Sequence, residues 1–358
     1  MKTWPDTRIQ ERFGIALPIL QAPMAGVVTP RMVIAVSEAG GLGALPCAML
    51  SLAQAREALD AIRQGTSRPI NLNFFCHPPP PADAVRALAW RARLAPYYVE
   101  LGLDPEAPVP ASNRRPFDSD FCGLVEEYRP QVVSFHFGLP EQALLARVKA
   151  AGAQVIASAT TVAEARWLEA RGCDAIIAMG WEAGGHRGSF LTDDMATQVG
   201  TFALVPQVVD AVQVPVIAAG GIADARGIVA AFALGAAAVQ LGTAYLFCPE
   251  AQLAPAHRQA LKTAPDDGTA VTNVFTGRPA RGIVNRLMRE LGPLSPHAPG
   301  FPLAGGPLTP LRSQTEPQGS PDFMPLWSGQ AARLARELPA GELTRVLAEE
   351  ALAKLSRG

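Results

Sequence analysis

The feature that most constrains this chain is a rhythm: short apolar runs recur along it with helical stretches between them. The candidate strands are 18–21, 41–45, 70–75, 131–137, 154–158, 174–179, 215–219 and 238–242. The stretches between them that read as helices include 30–38, 51–63, 141–150, 161–170, 199–212 and 223–234. Most of the runs show no polar alternation, as expected of parallel strands buried on both faces. Eight strand–helix units in about 250 residues predict an α/β fold, the TIM (β/α)8 barrel. An open doubly wound sheet is the competing arrangement. It usually carries GxGxxG after its first strand, and here the first run leads into Gln21-Ala22-Pro23-Met24 instead.

Two regions break the rhythm. Residues 77–118 open with a proline run and continue as proline-punctuated polar sequence until a helix resumes near Phe121, and residues 293–325 hold nine of the 33 prolines. Such segments are ordered caps or plain linkers, and both read here as ordered caps over the barrel mouth. The expected organisation is a barrel over 1–248 with 77–118 inserted across its mouth. A mainly helical or irregular capping and substrate region follows over 249–325, and two amphipathic helices over 326–358 pack back on the barrel.

The stretch 227–248 carries no charge and is about long enough to span a bilayer. Gly235 divides it into an Ala-rich helix and a short apolar run, so a buried helix and strand is the better reading and no membrane partner is expected. The balance of 31 basic against 32 acidic residues argues against a nucleic-acid binder. A 49% hydrophobic share excludes intrinsic disorder. Five cysteines without a CxxC fit a reducing cytoplasm better than a disulfide framework. The N-terminal residues have no apolar core of the kind a signal peptide needs, so a cytoplasmic location is expected.

In such a barrel the chemistry sits at the C-terminal ends of the strands. Gly220 and Gly221 follow the seventh run, and Gln240-Leu241-Gly242-Thr243 end the eighth. Glycines there let backbone N–H groups approach a phosphate; the alternative is that they only make a tight turn. After the sixth run, Glu182-Ala183-Gly184-Gly185-His186 places an imidazole in a glycine-rich loop, where it can serve as a base. His136 at the end of the fourth run is a second candidate, whereas His77, His257 and His297 fall outside the strand ends. No spacing gathers metal ligands, so no metal is expected, and no GxSxG offers a hydrolase nucleophile. Phosphate loops, an uncharged mouth and one placed base suit a phosphorylated cofactor such as FMN.

The segments PILQAPMAG (18–26), SEAGGLGAL (37–45), NLNFFCHPP (71–79), SFHFG (134–138), EAGGHRG (182–188), PVIAAGGIAD (215–224) and AVQLGTAYLFCPE (238–250), with WSGQAARLARELPA (327–340), resemble those of the class I nitronate monooxygenase family. They run through nearly the whole chain in the family's order. The resemblance implies a TIM barrel holding FMN. It implies oxidation of alkyl nitronates by O2 to carbonyl compounds and nitrite, through a flavin semiquinone and without NAD(P)H, with propionate 3-nitronate as a substrate. Carried over by motif, Ala22, Pro23 and Met24 lie along the flavin ring and Asn73 hydrogen-bonds it. Gly184, Gly185, Ala219, Gly220, Gly221, Gln240, Leu241, Gly242 and Thr243 surround the phosphate end, and His186 matches the catalytic histidine. His136 and Phe301 are expected in the substrate pocket.

One position and one region depart from the family pattern. Met179 stands where the family usually carries a flavin-contacting glutamine, and a thioether donates no hydrogen bond. Phe301, Leu303 and Leu311 occupy the lid region where the family supplies tyrosines and a lysine, which implies a different or larger substrate. The alternative activity is that of an FMN-dependent NAD(P)H:quinone or enoyl-thioester reductase. A flavin-binding protein without activity and a flavin-free phosphosugar enzyme complete the field.

Overall fold

The computed structural model describes residues 3–356 apart from Ala82, Ala111 and Asn113. Eight parallel strands form the barrel sheet: β1 (Ile19–Gln21), β2 (Gly43–Pro46), β3 (Ile70–Phe75), β4 (Val132–His136), β5 (Gln154–Ala159), β6 (Ala175–Met179), β8 (Val216–Ala219) and β9 (Ala238–Leu241). A short strand, β7 (Gly185–His186), lies between β6 and β8 in sequence and outside the barrel. Each of the eight expected runs overlaps one barrel strand, with β2 and β5 each ending one residue beyond its run. β1 pairs with β9 and meets β2 through a parallel bridge at Leu20–Leu42, so the sheet closes on itself. The closure is reinforced inside the wall, where the buried Gln21 side chain accepts from the Ala44 N–H at 2.9 Å.

The helices begin where local chemistry starts them. Thr29 precedes Pro30–Glu38 and accepts from Met32 N, Ser51 and Gln54 form a capping box for Leu52–Gly65, and Asp224 takes two amides of Ala225–Ala233. The short helix Arg8–Phe13 stoppers the lower end of the barrel. Its Ile9 and Phe13 are fully buried among Leu20, Ile156, Ile177 and Ile217.

After β9 the chain leaves the barrel and returns only with Ala340–Leu355, which packs between Ala225–Ala233 and Pro30–Glu38 in the seat of the eighth barrel helix. Gly341 permits the close approach, since a Cβ there would sit 2.8 Å from the Ala35 carbonyl. The buried Tyr245 hydroxyl meets Thr344 at 2.7 Å. Two helices were expected over this last segment; beyond a 3-10 turn at Ala332–Leu334 there is one. Pro339 and the extended residues before it start the helix late.

The 77–118 insertion also differs from its expectation. It contains a 17-residue helix, Ala84–Glu100, with Pro96 inside it. Its buried face (Trp90, Leu94, Tyr97, Tyr98) shares a core with Phe275, Leu287, Leu308, Leu311 and Phe323 of the later cap. Insertion and cap are therefore packed together beside the barrel mouth. Two more strands, β10 (Thr269–Thr272) and β11 (Ala280–Ile283), form an antiparallel hairpin there, and β7 adds to its edge. The uncharged 227–248 stretch is divided among the helix Ala225–Ala233, β9 and the turn Thr243–Leu246. No helix among the described residues is long and apolar enough to cross a membrane.

Candidate active site

The loop after β6 carries the imidazole. Gly185 and His186 form a short strand rather than a loop: His186 pairs with Ala280 and Gly185 with Arg281 of the cap hairpin. Gly185 adopts φ +71°, a backbone that disfavours any side chain. The Arg187 N–H then donates to Pro279 O at 2.8 Å. The cap thus fixes the backbone on both sides of the imidazole.

The side chain is fixed as well. Nε2 of His186 lies 2.9 Å from Thr276 Oγ1, and that hydroxyl donates onward to the Arg278 carbonyl at 3.4 Å. With its proton committed there, Oγ1 accepts from Nε2–H, and Nδ1 of His186 is left with a lone pair and no partner among the described residues. Phe301, Trp327, Phe137 and Phe75 surround the ring at centroid distances of 5.3, 5.4, 6.0 and 6.2 Å. Burial holds the imidazole well below its usual pKa, and the charges of Arg114 and Arg278 push the same way. It is neutral at physiological pH.

His136, at the end of β4, uses both ring nitrogens. Nε2 donates to the His186 carbonyl at 3.1 Å, and Nδ1 faces Ser158 Oγ at 3.1 Å. A carbonyl can only accept, so the proton sits on Nε2. Burial lowers its pKa to about 4. His136 positions His186 rather than offering a free nitrogen.

The expected phosphate residues gather at the ends of β8 and β9. Gly220 and Gly221 have φ of +110° and +71°. A Cβ on Gly220 would lie 2.9 Å from Thr201 Oγ1 and 3.1 Å from Ala183 N. Thr201 joins two loops, contacting the Gly220 carbonyl at 2.9 Å and Glu182 Oε2 at 2.8 Å. The N–H groups of Gly220, Gly221 and Gly242 find no acceptor among the described residues. Buried Gln240 Oε1 is likewise unpaired. Opposite Gly242 stand Ala22 and Met24, within 3.5 and 3.8 Å of where its Cβ would be. Asn73 directs its amide nitrogen to Ser134 Oγ at 2.9 Å, leaving the amide oxygen as its remaining group. Leu241 turns its side chain into the layer between strands and helices, so only its backbone reaches the rim. Met179 and Ala219 are buried at their strand ends, where the Met179 carbonyl accepts from Arg187 at 2.9 Å.

Four features depart from the sequence reading or were not seen in it. The mouth is not uncharged. Arg187, Arg278 and Arg281 border it, and the charge of Arg114 reaches both His186 and His77. His77 does not stand apart. It is buried, packs edge-on against Phe301 at 4.8 Å, and leaves Nδ1 without a partner. Phe137, the residue after His136, has φ +70°, a strained backbone for an aromatic residue that turns its ring under the Arg278 guanidinium at 4.1 Å. Ser328 and Gly329 close against Gly184, whose Cβ would lie 2.4 Å from Gly329 N, and Gly329 N donates to Thr243 Oγ1 at 2.9 Å. WSGQ (327–330) opens one of the family-like segments, but nothing in its residues pointed to this closure.

Comparison with known proteins places this geometry. The family model described as nitronate monooxygenase matches residues 6–350. A nitronate monooxygenase of Pseudomonas aeruginosa is 43% identical over 347 residues, covering 96% of this chain and 98% of that protein. One from Paraburkholderia phytofirmans is 42% identical, covering 94% of this chain and 93% of its own. Among solved structures, nitroalkane oxidase from Streptomyces ansochromogenes superposes with a TM-score of 0.88 at 38% identity, covering 98% of this chain and 99% of that one. FabK from Thermotoga maritima shares the fold at a TM-score of 0.75 and 29% identity, covering 99% of this chain and 98% of that one.

Proposed function

This chain belongs to the nitronate monooxygenase family, and from that premise we propose that it holds FMN at the β8–β9 rim and uses O2 to oxidise alkyl nitronates to carbonyl compounds and nitrite. That it is an oxidoreductase acting on nitronates follows from the family itself.

The residues present fit the cofactor. The unpaired N–H groups of Gly220, Gly221 and Gly242 are what an anionic phosphate requires of a backbone cradle. The uncommitted amide oxygen of Asn73 is an acceptor of the kind a flavin ring N–H needs, and the orphaned oxygen of Gln240, at the phosphate end, is one a ribityl hydroxyl needs. Gly184, Gly185, Ala219, Leu241 and Thr243 complete the phosphate end, Ala22, Pro23 and Met24 flank the ring, and Met179 packs without donating. The cofactor, when bound, supplies the electron acceptor between nitronate and dioxygen.

The protein's part is positional and acid–base. A nitronate is already an anion, so it needs no base, only placement within the aromatic wall of Phe75, Phe137 and Phe301. A neutral nitroalkane must first lose its α-proton, and the lone pair on Nδ1 of His186 takes it. Thr276 holds the opposite nitrogen and His136 the backbone carbonyl, so the base does not reorient during transfer. The observation that carries the reading is that neutral imidazole, one nitrogen anchored and the other free, within a box of aromatic rings.

The test begins with the absorption spectrum of the purified protein, where a flavin spectrum that releases FMN on denaturation is expected. Oxygen uptake on adding an alkyl nitronate should then form nitrite, with no bleaching by NADH under anaerobic conditions. A colourless protein, or a flavin reduced by NADH and indifferent to nitronates, would replace this reading with another.

A further inference from the structure

Between the insertion and the cap lies a cavity of about 160 Å³, lined among others by Arg114, Ser112, Phe275, Thr276, Thr309 and Arg312. Thr276 is the residue that anchors His186, so the cavity adjoins the base. Its charge balance is lopsided. Arg312 gives Nε to Glu316 at 2.6 Å and is compensated. Arg114 has no carboxylate partner among the described residues. It is partly buried, and both burial and the neighbouring Arg312 disfavour its charge, with no acid offsetting them. A guanidinium in that position lacks a counter-ion, and its planar fork of donors matches a planar oxyanion. No acidic side chain among the described residues lines the space.

We infer that this cavity is an anion-binding vestibule, in which Arg114 receives a small planar oxyanion and so selects the ionised nitronate over the neutral nitroalkane on the way to His186. The inference deepens the proposed function and rests on it for the identity of the substrate, though not for the binding of anions. Arg114 is here a specificity-determining residue. It acts before chemistry, by raising the local concentration of one charge state, and leaves the proton transfer to His186. Charged funnels of this kind change association and its salt dependence more than they change the turnover of bound substrate.

The probe is inorganic nitrate, which is planar, anionic and unreactive. Calorimetric titration of the holoprotein with nitrate should show binding that Arg114→Gln weakens about tenfold or more and that Arg114→Lys restores only in part, since lysine returns the charge without the planar fork. In oxygen uptake, Arg114→Gln should lower kcat/KM for a preformed nitronate by a similar factor and flatten its dependence on ionic strength. The kcat for nitronate and the kcat/KM for the corresponding neutral nitroalkane should stay within about twofold. Equal losses on nitronate and nitroalkane would overturn the inference, as would nitrate binding indifferent to Arg114→Gln in a protein that oxidises nitronates. Nitrate binding that depends on Arg114 in a protein inert to nitronates would leave the vestibule standing and remove the proposed function instead.

Discussion

Replacing His186 by asparagine separates the two jobs its position suggests. Asparagine keeps an amide donor for Thr276 but offers no lone pair basic enough to take a carbon-bound proton. A positioned general base contributes about 10²–10⁴ in rate, which is about 3–5 kcal/mol of barrier. That is the expected loss in kcat/KM on a neutral nitroalkane. On a nitronate ionised before mixing, nothing the imidazole does is needed for the proton, and the loss should stay within about threefold, the residue of altered packing against Phe301 and Trp327.

The assay is oxygen consumption in one buffer, with the same compound added either from unionised stock or from stock equilibrated in base. Because burial and the nearby Arg114 and Arg278 depress the imidazole pKa, the wild-type base is already unprotonated at pH 6.5. Its kcat/KM on the nitroalkane should therefore show no enzyme-derived fall between pH 8 and 6.5. Losses of equal size on the two forms of substrate would refute the division of labour. A wild-type limb near the ordinary histidine pKa would refute the burial argument.

Acidification should destabilise the fold through its buried histidines. His136 titrates at about 4 when folded and near 6.5 when unfolded, so below 6.5 the unfolded chain binds a proton the native one refuses. Stability is intact above that pH and falls by about 2 kcal/mol at pH 5 from this residue alone. His136→Gln should reduce the fall in urea-unfolding free energy between pH 7 and pH 5 by that amount, and an unchanged fall would contradict it. Gly220→Ala puts a side chain at φ +110° against Thr201, which costs about 1–3 kcal/mol and displaces an unpaired amide. The purified variant should lose bound flavin by absorbance while keeping its circular dichroism, and full flavin content would refute the cradle. Trp90→Ala removes a fully buried indole and its 3.0 Å bond to the Ala304 carbonyl, for a loss of about 3–5 kcal/mol in denaturant titration. A loss below about 1 kcal/mol would mean the insertion and cap do not share a core.

The barrel was legible because parallel strands buried on both faces must be written as apolar runs, and each run is local in sequence. The rim was legible for a similar reason: Gly220, Gly221 and Gly242 serve the backbone of their own turns. What sequence hid is non-local. His186 reads as part of a glycine loop, yet it is a strand because Ala280, far along the chain, pairs with it. His77 reads as the start of a proline run, and only the return of Phe301 over it makes it part of the mouth. Arg114 sits in polar sequence whose burial is created by the cap. The helix Ala84–Glu100 was hidden differently. Its buried residues Trp90, Leu94, Tyr97 and Tyr98 do keep a helical period, but the flanking prolines and Pro96 speak for broken structure, and its outer face carries exposed Val85 and Leu88 that blur the pattern.

The loop bearing His186 is also held from below, by charges that on first view should weaken it. Arg187 is fully buried, and burial lowers its pKa only to about 10, so it remains a cation. Its terminal nitrogens donate to the Gly180 and Met179 carbonyls at 2.7 and 2.9 Å, where β6 ends, and Nε donates to Gln198 at 3.0 Å. Gln198 donates to Thr160 at 3.0 Å, and Thr160 to the buried Glu164 carboxylate at 2.8 Å. The other carboxylate oxygen takes the amides of Phe190 and Leu191 at 2.7 and 3.2 Å. The chain of bonds leaves the loop at Arg187 and re-enters it at Phe190 and Leu191, with one positive and one negative charge at its ends. Breaking one end strands a buried charge at about 3–5 kcal/mol, whereas shifting the loop as a unit would cost the whole set. The imidazole therefore lies between two supports, the cap hairpin on one side and this ion-terminated relay on the other, and only the relay is tied to the barrel wall, at Met179. Precision at the base depends on the packing of cap against barrel, so substitutions in the cap core should reduce turnover at temperatures where the barrel is still folded.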